Sequence, residues 1–244
     1  YNLAYPAKPV IGLISGLPFS GGIANDEINP SFQDPFYLYK NLSEFYEIIN
    51  LTQNFEKIPE NIEQLLIIHP KDLSERNLYL IDQFIMQGKG ATFFVDPFSE
   101  YEVINQVSNQ SNANIPKSDL NRLFKQWGFE VEAGMVVGDI INGRKVSLGS
   151  ANNEKIVTYI LWLALQRELL SKEDIVTENL DYVFFKSAGS IKNINIDKKN
   201  EFIPLVKTSS NSMLIERFKI QFRAEPERLL NEFKSGNKKF VLGA

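Results

Sequence analysis

The chain has 244 residues, 43% of them hydrophobic, enough apolar material for one large core or two modest ones. Its 26 Lys and Arg against 30 Asp and Glu leave a formal net charge of -4 with no basic cluster, which argues against a nucleic-acid role built on phosphate neutralisation. With no cysteine, disulfides, thiolate catalysis and Cys-ligated zinc are excluded.

In chain order, VIGLIS (10–15) predicts a buried strand ending at Ser15 and Gly16, followed by the loop GLPFSGGIANDEINPSFQ. Asp34-Pro35 is the expected opening of a helix whose apolar face carries Phe36, Leu38, Tyr39, Leu42 and Phe45. YEIINL (46–51) and QLLIIHP (64–70) are the next strands. Ser74 is the expected cap of a helix built on Leu78, Ile81, Phe84 and Ile85 and stopped at Gly88. ATFFVDP (91–97) is a fourth strand, followed by an Asn/Ser-rich loop (105–118). Leu120, Leu123, Phe124 and Trp127 predict a helix closed by Gly128, and MVVGD (135–139) a further strand.

From about residue 150 the pattern changes. A helix is expected over 154–170, then strand-like runs at YVFFKS, FIPLVKTS, SMLIERF and KFVLG, with a short helix led by Pro226. The stretch IVTYILWLALQ (156–166) is shorter than the roughly 18 residues a membrane span needs. A chain opening on Tyr1 and ending on KKFVLGA reads as a processed or excised piece whose signal or anchor would lie outside it. Two regions are therefore expected. Residues 1–149 should form an α/β domain with a mainly parallel, Rossmann- or flavodoxin-like sheet and helices on both faces. Residues 150–244 should add a C-terminal α+β extension with antiparallel strands, packed on the first.

In such sheets ligands bind outside the carboxyl ends of the strands, so the candidate crevice residues are Ser15, Gly16, His69, Asp96 and Asp139. In flavodoxin-like order the strands ending in His69 and Asp96 are neighbours, close enough for a carboxylate to orient an imidazole for acid-base work. Three readings of His69 stand side by side: a strand-end residue, part of a ligand or partner surface, or a catalytic base. Ser15 and Ser74 are the available nucleophiles, but neither sits in G-x-S-x-G, and Ser74 is better explained as a cap. His69 with Asp96 and Asp139 has the chemistry of a divalent-metal set, yet strand-end carboxylates are commonly turn-formers and no H-x-x-x-H or D-x-D spacing occurs. No metal or cofactor is assigned. GKGAT (88–92) lacks the spacing and the strand-loop-helix context of a phosphate loop. Among the aromatics, Phe84, Phe124 and Trp127 read as core; Phe19, Phe32, Phe36 and Tyr37 either fold over the sheet or form an exposed contact.

HPKDLSERNLYLIDQFIMQGKGATFFVDPFSE, followed by DLNRLFKQWGFEVEAGMVVGD, carries in order HPK-x-L-S, Y-x-I-D-Q-F, F-V-D-P, L-x-x-L-x-x-x-W-G and V-V-G-D. These runs resemble the GldG-like auxiliary component of ABC-type transport systems, first associated with gliding motility. The resemblance extends to IGLISGLP, DPFYLYKNLSEFYEI, DIVTENLDYVFFKSAGSI and FIPLVKTS, nearly the whole chain. It implies a class I glutamine-amidotransferase-like fold. It also implies a non-catalytic domain on the extracytoplasmic, periplasmic side of the bacterial inner membrane, beside an ABC permease and an ATPase. In the amidotransferase fold a Cys nucleophile occupies a strand-to-helix elbow; the corresponding turn here is His69-Pro70-Lys71, in a chain without Cys. Where many members have adjacent glycines this chain has Gly88-Lys89-Gly90, and the further acidic strand and membrane helix usual in the family do not follow within it. The first expectation is thus a non-enzymatic transport auxiliary that binds membrane partners or an exported polymer or small ligand. A glycan or small-ligand module and a hydrolase using His69 and Asp96 are the alternatives.

Overall fold

The computed structural model describes residues 7–23, 32–52, 54–106, 117–149, 154–195, 200–221 and 225–244. The backbone divides into two compact units, Tyr1–Val95 and Asp96–Ala244.

The first unit runs β1 (Val10–Ser15), β2 (Gly22–Ile23), β3 (Phe32–Gln33), α1 (Tyr37–Phe45), β4 (Glu47–Asn50), β5 (Gln64–Ile68), α2 (Glu75–Met86) and β6 (Gly90–Phe94). β4, β1, β5 and β6 form a four-stranded sheet in that order, with every pairing parallel, while β2 and β3 make a small antiparallel ribbon. The apolar runs thus lie where the sequence placed them. The chain steps from β1 to β4 in one direction and from β5 to β6 in the other, so right-handed crossovers set α1 and α2 on opposite faces. On the α1 side Ile11, Leu13, Leu66 and Ile68 pack with Phe19, Phe36, Tyr39 and Leu42. The other face carries Ile14, Leu65 and Ile67, and Ile62 stands so close over Gly12 that a Cβ there would meet its Cδ1 at 2.9 Å.

α1 departs from expectation at its start. It begins at Tyr37 with Phe36 at the N-cap and no side-chain cap, so Asp34 does not close its first turn. The entry is set instead by packing, since Phe36 N donates to Phe19 O (3.0 Å) and their rings lie 5.5 Å apart. Leu38 and Phe45 are about half exposed rather than on the packed face, and Tyr37 is exposed too. Phe19 and Phe36 therefore fold over the sheet. α2 is capped as expected: Ser74 Oγ accepts from Asn77 N and Asn77 Oδ1 accepts from Ser74 N, both at 3.2 Å. Leu78, Ile81 and Phe84 are buried, and Gly88 leaves the helix at φ 82°.

The second unit contains α3 (Glu100–Gln106), α4 (Asn121–Trp127), β7 (Phe129–Val131), β8 (Met135–Asp139), β9 (Gly143–Leu148), β10 (Lys155–Gln166), β11 (Tyr182–Lys186), β12 (Ile191–Asn193), β13 (Val206–Lys207), β14 (Ser212–Glu216), α5 (Pro226–Asn231) and β15 (Val241–Gly243). Its sheets, β11-β10-β9, β13-β15-β12-β7 and β14-β8, are antiparallel throughout. α4 ends at Gly128 in the left-handed region, as expected. α3 overlaps the start of the Asn/Ser-rich stretch read as a loop; residues 107–116 of that stretch lie outside the described residues.

Two elements, β10 and β8, differ from expectation. The helix expected over 154–170 is the long strand β10 followed by a short 3-10 turn, Arg167–Leu169. Its β-branched and aromatic residues favour a strand, and Val157, Tyr159, Leu161, Leu163 and Leu165, every second residue, are at most 7% exposed. Ile160 is buried as well, which obscures the two-residue period. β8 does not extend the parallel sheet: it pairs antiparallel with β14, residue by residue from Ser212↔Asp139 to Glu216↔Met135. The division expected after residue 149 falls between β9 and β10, two paired strands of one sheet. The core of this unit joins Val136, Tyr159, Leu161, Ile215 and Leu229 in one cluster and Val137, Leu163, Leu165, Val206 and Leu242 in another.

Candidate functional site

The chain reverses its direction across the parallel sheet between β1 and β5, the place where doubly wound sheets open a crevice at their carboxyl ends. Ser15, Gly16 and His69 are brought together there by the register that pairs Ser15 with Ile68. Gly16 N donates to Ile68 O (3.1 Å), and His69 N donates to Phe94 O (2.7 Å), so pairing continues one residue past the ends of β1 and β5.

This end of the sheet is closed by backbone. A Cβ on Gly16 would stand 2.2 Å from His69 O and 3.0 Å from Lys71 Cγ, so only glycine fits. His69 adopts φ 46°, in the left-handed region where His, Asn and Asp are the commonest non-glycine residues. Asp72 adopts φ 49°, and the two residues bracket the Pro70-Lys71 turn that redirects the chain into α2. The imidazole is buried, with His69 2% exposed. Ser15 Oγ donates to Leu17 O (2.9 Å) and accepts from Leu17 N (3.1 Å), which occupies it within its own loop. That loop is held by Phe36 N on Phe19 O and by Gly21, whose φ of 74° brings it so close to Gln33 O that a Cβ would sit 2.7 Å away.

The other two candidates belong to the second unit. Asp96 follows β6, and β5 and β6 are indeed neighbours. Its carboxylate accepts from Phe98 N (3.0 Å), and its backbone N–H donates to Ser118 Oγ (2.7 Å), which makes it the turn-former that a strand-end Asp-Pro suggests. Asp139 is fully buried at the end of β8 and accepts five hydrogen bonds, from Ile141 N, Asn142 N, Asn142 Nδ2, Ser209 N and Ser209 Oγ, at 2.7 to 3.1 Å. It ties β8 to the segment leading into β14. Among the described residues no three His, Asp or Glu are grouped to hold a metal ion.

One polar cluster escaped the sequence reading. Glu100, on α3, accepts from Trp162 Nε1 at 2.9 and 3.0 Å and from Ser187 Oγ at 2.5 Å. Ser187 is fully buried at φ 48°, and Tyr159, edge-on to Trp162 at 5.3 Å, has its hydroxyl pushed well above the usual tyrosine range by burial and then by the Glu100 charge. No sequence signal joined these residues, because Trp162 was read into a helix and α3 was not expected. A shallow recess elsewhere in this unit is lined by Lys117, Asp119, Asn121, Glu132 and Arg217, of mixed charge, with Glu132 already paired to Lys192 at 2.6 Å.

The family model for an ABC-type uncharacterized transport system matches residues 8–244, both compact units. The chain belongs to this family. No curated protein and no solved structure matches it. Membership makes the chain an auxiliary component of an ABC-type transport system. The five candidate residues of this transport auxiliary thus divide into a closed strand-end knot (Ser15, Gly16, His69), a turn (Asp96) and a buried anchor (Asp139).

Proposed function

We propose that this transport auxiliary works without catalysis, on the extracytoplasmic side of the bacterial inner membrane, by binding an ABC permease and ATPase assembly or a polymer or small ligand that the assembly exports. The observation that carries the reading is the family match over residues 8–244. Geometry favours binding over turnover. His69 is buried with its carbonyl against Gly16, Ser15 serves its own loop, and Asp139 has five donors around it. The finer GldG-like, amidotransferase-like assignment is supported by the strand order β4-β1-β5-β6, which is the doubly wound order second, first, third, fourth. It is supported also by the His69-Pro70-Lys71 turn, which stands after β5 where that fold keeps its nucleophile elbow, in a chain with no cysteine. No helix among the described residues is long and apolar enough to cross a membrane, so the reading locates any anchor outside them.

The test is affinity purification of the full reading frame from detergent-solubilised membranes. Recovery with a permease and an ATPase at fixed ratio is expected, and an alkaline-phosphatase fusion to this domain should be active. A full-length chain that purifies alone and carries no hydrophobic flank would overturn the reading. Ligand capture at the strand ends is checked separately by thermal shift against sugars and peptidoglycan fragments, since a ligand of the native state must raise its apparent stability.

A further inference from the structure

β11 forms one edge of the β11-β10-β9 sheet, and among the described residues no strand pairs with its outer side. Ser187 N donates to Leu161 O (2.9 Å), and with the register Leu163↔Phe185 and Leu165↔Val183 this fixes which way each peptide points. Val183, Phe185 and Ser187 turn their backbone groups toward β10, so Tyr182, Phe184 and Lys186 turn theirs toward the open edge. The side chains of these three share one face of the sheet and are exposed, Tyr182 by 54% and Phe184 by 51%.

These side chains are already positioned. The Tyr182 and Phe184 rings meet edge to face at 4.9 Å, the Arg144 guanidinium lies 4.9 Å over Phe184, and the Lys186 ammonium lies 4.6 Å over Trp162. Ala164, opposite Phe184 on β10, is small enough to let Arg144 reach across. Natural edges are commonly blunted by proline, a bulge or a central charge, whereas YVFFK carries its single charge at the end.

We propose that a second copy of this chain covers this edge, β11 pairing with β11 in antiparallel register about a two-fold axis at Phe184, so that one sheet runs through both copies. The sequence is self-complementary in that register. Phe184 faces the partner's Phe184, Tyr182 faces the partner's Lys186, and all three outward residues exchange backbone hydrogen bonds. Each ammonium thereby meets an aromatic ring instead of another cation. A register centred on Lys186 would set two ammonium groups face to face, and one centred on Tyr182 would leave Lys186 unmatched. Prior ordering of the rings lowers the entropy lost on association. This pairing does not rest on the transport reading.

The chain has no cysteine, so Phe184→Cys supplies a single thiol at the two-fold axis. Facing Cα atoms of a hydrogen-bonded antiparallel pair stand about 5.5 Å apart, within disulfide reach. Under mild oxidation this variant should cross-link about tenfold faster than Tyr79→Cys, a 61% exposed site in the first unit. Sedimentation of the unsubstituted chain over a concentration series should show a monomer-dimer equilibrium. Tyr182→Lys sets like charges across the axis and should shift the chain to monomer; adding Lys186→Glu should restore the dimer. Equal cross-linking rates, a chain monomeric at every concentration, or a dimer indifferent to both charge substitutions would each overturn the proposal.

Discussion

At the scale of single residues, the buried polar groups of this protein hold backbone in place. Asp139 accepts from two side chains and three backbone N–H groups, with no solvent to replace them. Asp139→Ala strands those donors and should lower unfolding stability by about 3 kcal/mol in a urea titration; a loss below about 1 kcal/mol would mean that water enters the site. Gly16→Ala forces a methyl into His69 O and should cost about 3 kcal/mol by the same measurement, without any role in binding being needed to explain it. Tyr159 supplies a pH signature. Burial, then the Glu100 charge, raises its folded-state pKa above the unfolded value, so its neutral form is favoured in the fold. Its contribution is complete below about pH 10, where the unfolded chain also keeps the proton, and declines as pH rises above that. Tyr159→Phe should therefore flatten the alkaline loss of stability. An unchanged profile in alkaline melts would assign that loss to other groups.

At the scale of elements, α2 shows a local signal agreeing with its tertiary use. Asn77 completes the cap with Ser74 and also donates through Nδ2 to Phe55 O at 2.9 Å, so one buried amide fixes both the helix start and the segment that crosses from β4 to β5. Asn77→Ala removes both functions and should destabilise the chain by about 2 kcal/mol, against about 1 kcal/mol for Ser74→Ala; equal losses would reduce Asn77 to a cap. The same agreement explains what was legible in the sequence. VIGLIS, QLLII and ATFF are short apolar runs bounded by Gly, Pro or polar residues, and Ser74 and Gly88 punctuate α2, so the parallel sheet could be read locally. β10 could not be read that way, since burial of Ile160 between Tyr159 and Leu161 mimics a broad helical face. Asp139 was misplaced because an apolar run ending in Asp does not say which strand pairs with it, and β14 begins 73 residues later (Asp139 to Ser212). For the candidate site, spacing located the Ser15, Gly16 and His69 strand ends. Their closure depends on a left-handed His69 backbone and a close approach to Gly16, neither of which a residue name encodes.

At the scale of the whole molecule, the question is where one cooperative unit ends and the next begins. Within Asp96–Ala244, β9 pairs with β10 and β8 with β14, while Val136 and Tyr159 share a core with Ile215 and Leu229. A cut after residue 149 would leave β10 without β9 and β14 without β8, exposing the apolar face of the longest strand in the fold. A cut after Val95 leaves every one of those pairings inside one fragment. Residues 96–244 expressed alone should consequently unfold in a single urea transition with near-ultraviolet circular dichroism from Trp162 in its packed setting, whereas residues 150–244 should lack that signal and bind a hydrophobic dye. If instead 150–244 gave the cooperative transition and 96–244 did not, the pairing of β8 and β9 would contribute little to stability, and the boundary would belong near residue 150. The first outcome would also free the parallel-sheet unit to be assayed for ligands by itself, which separates the strand-end site from the β11 edge as sources of any binding observed in the intact chain.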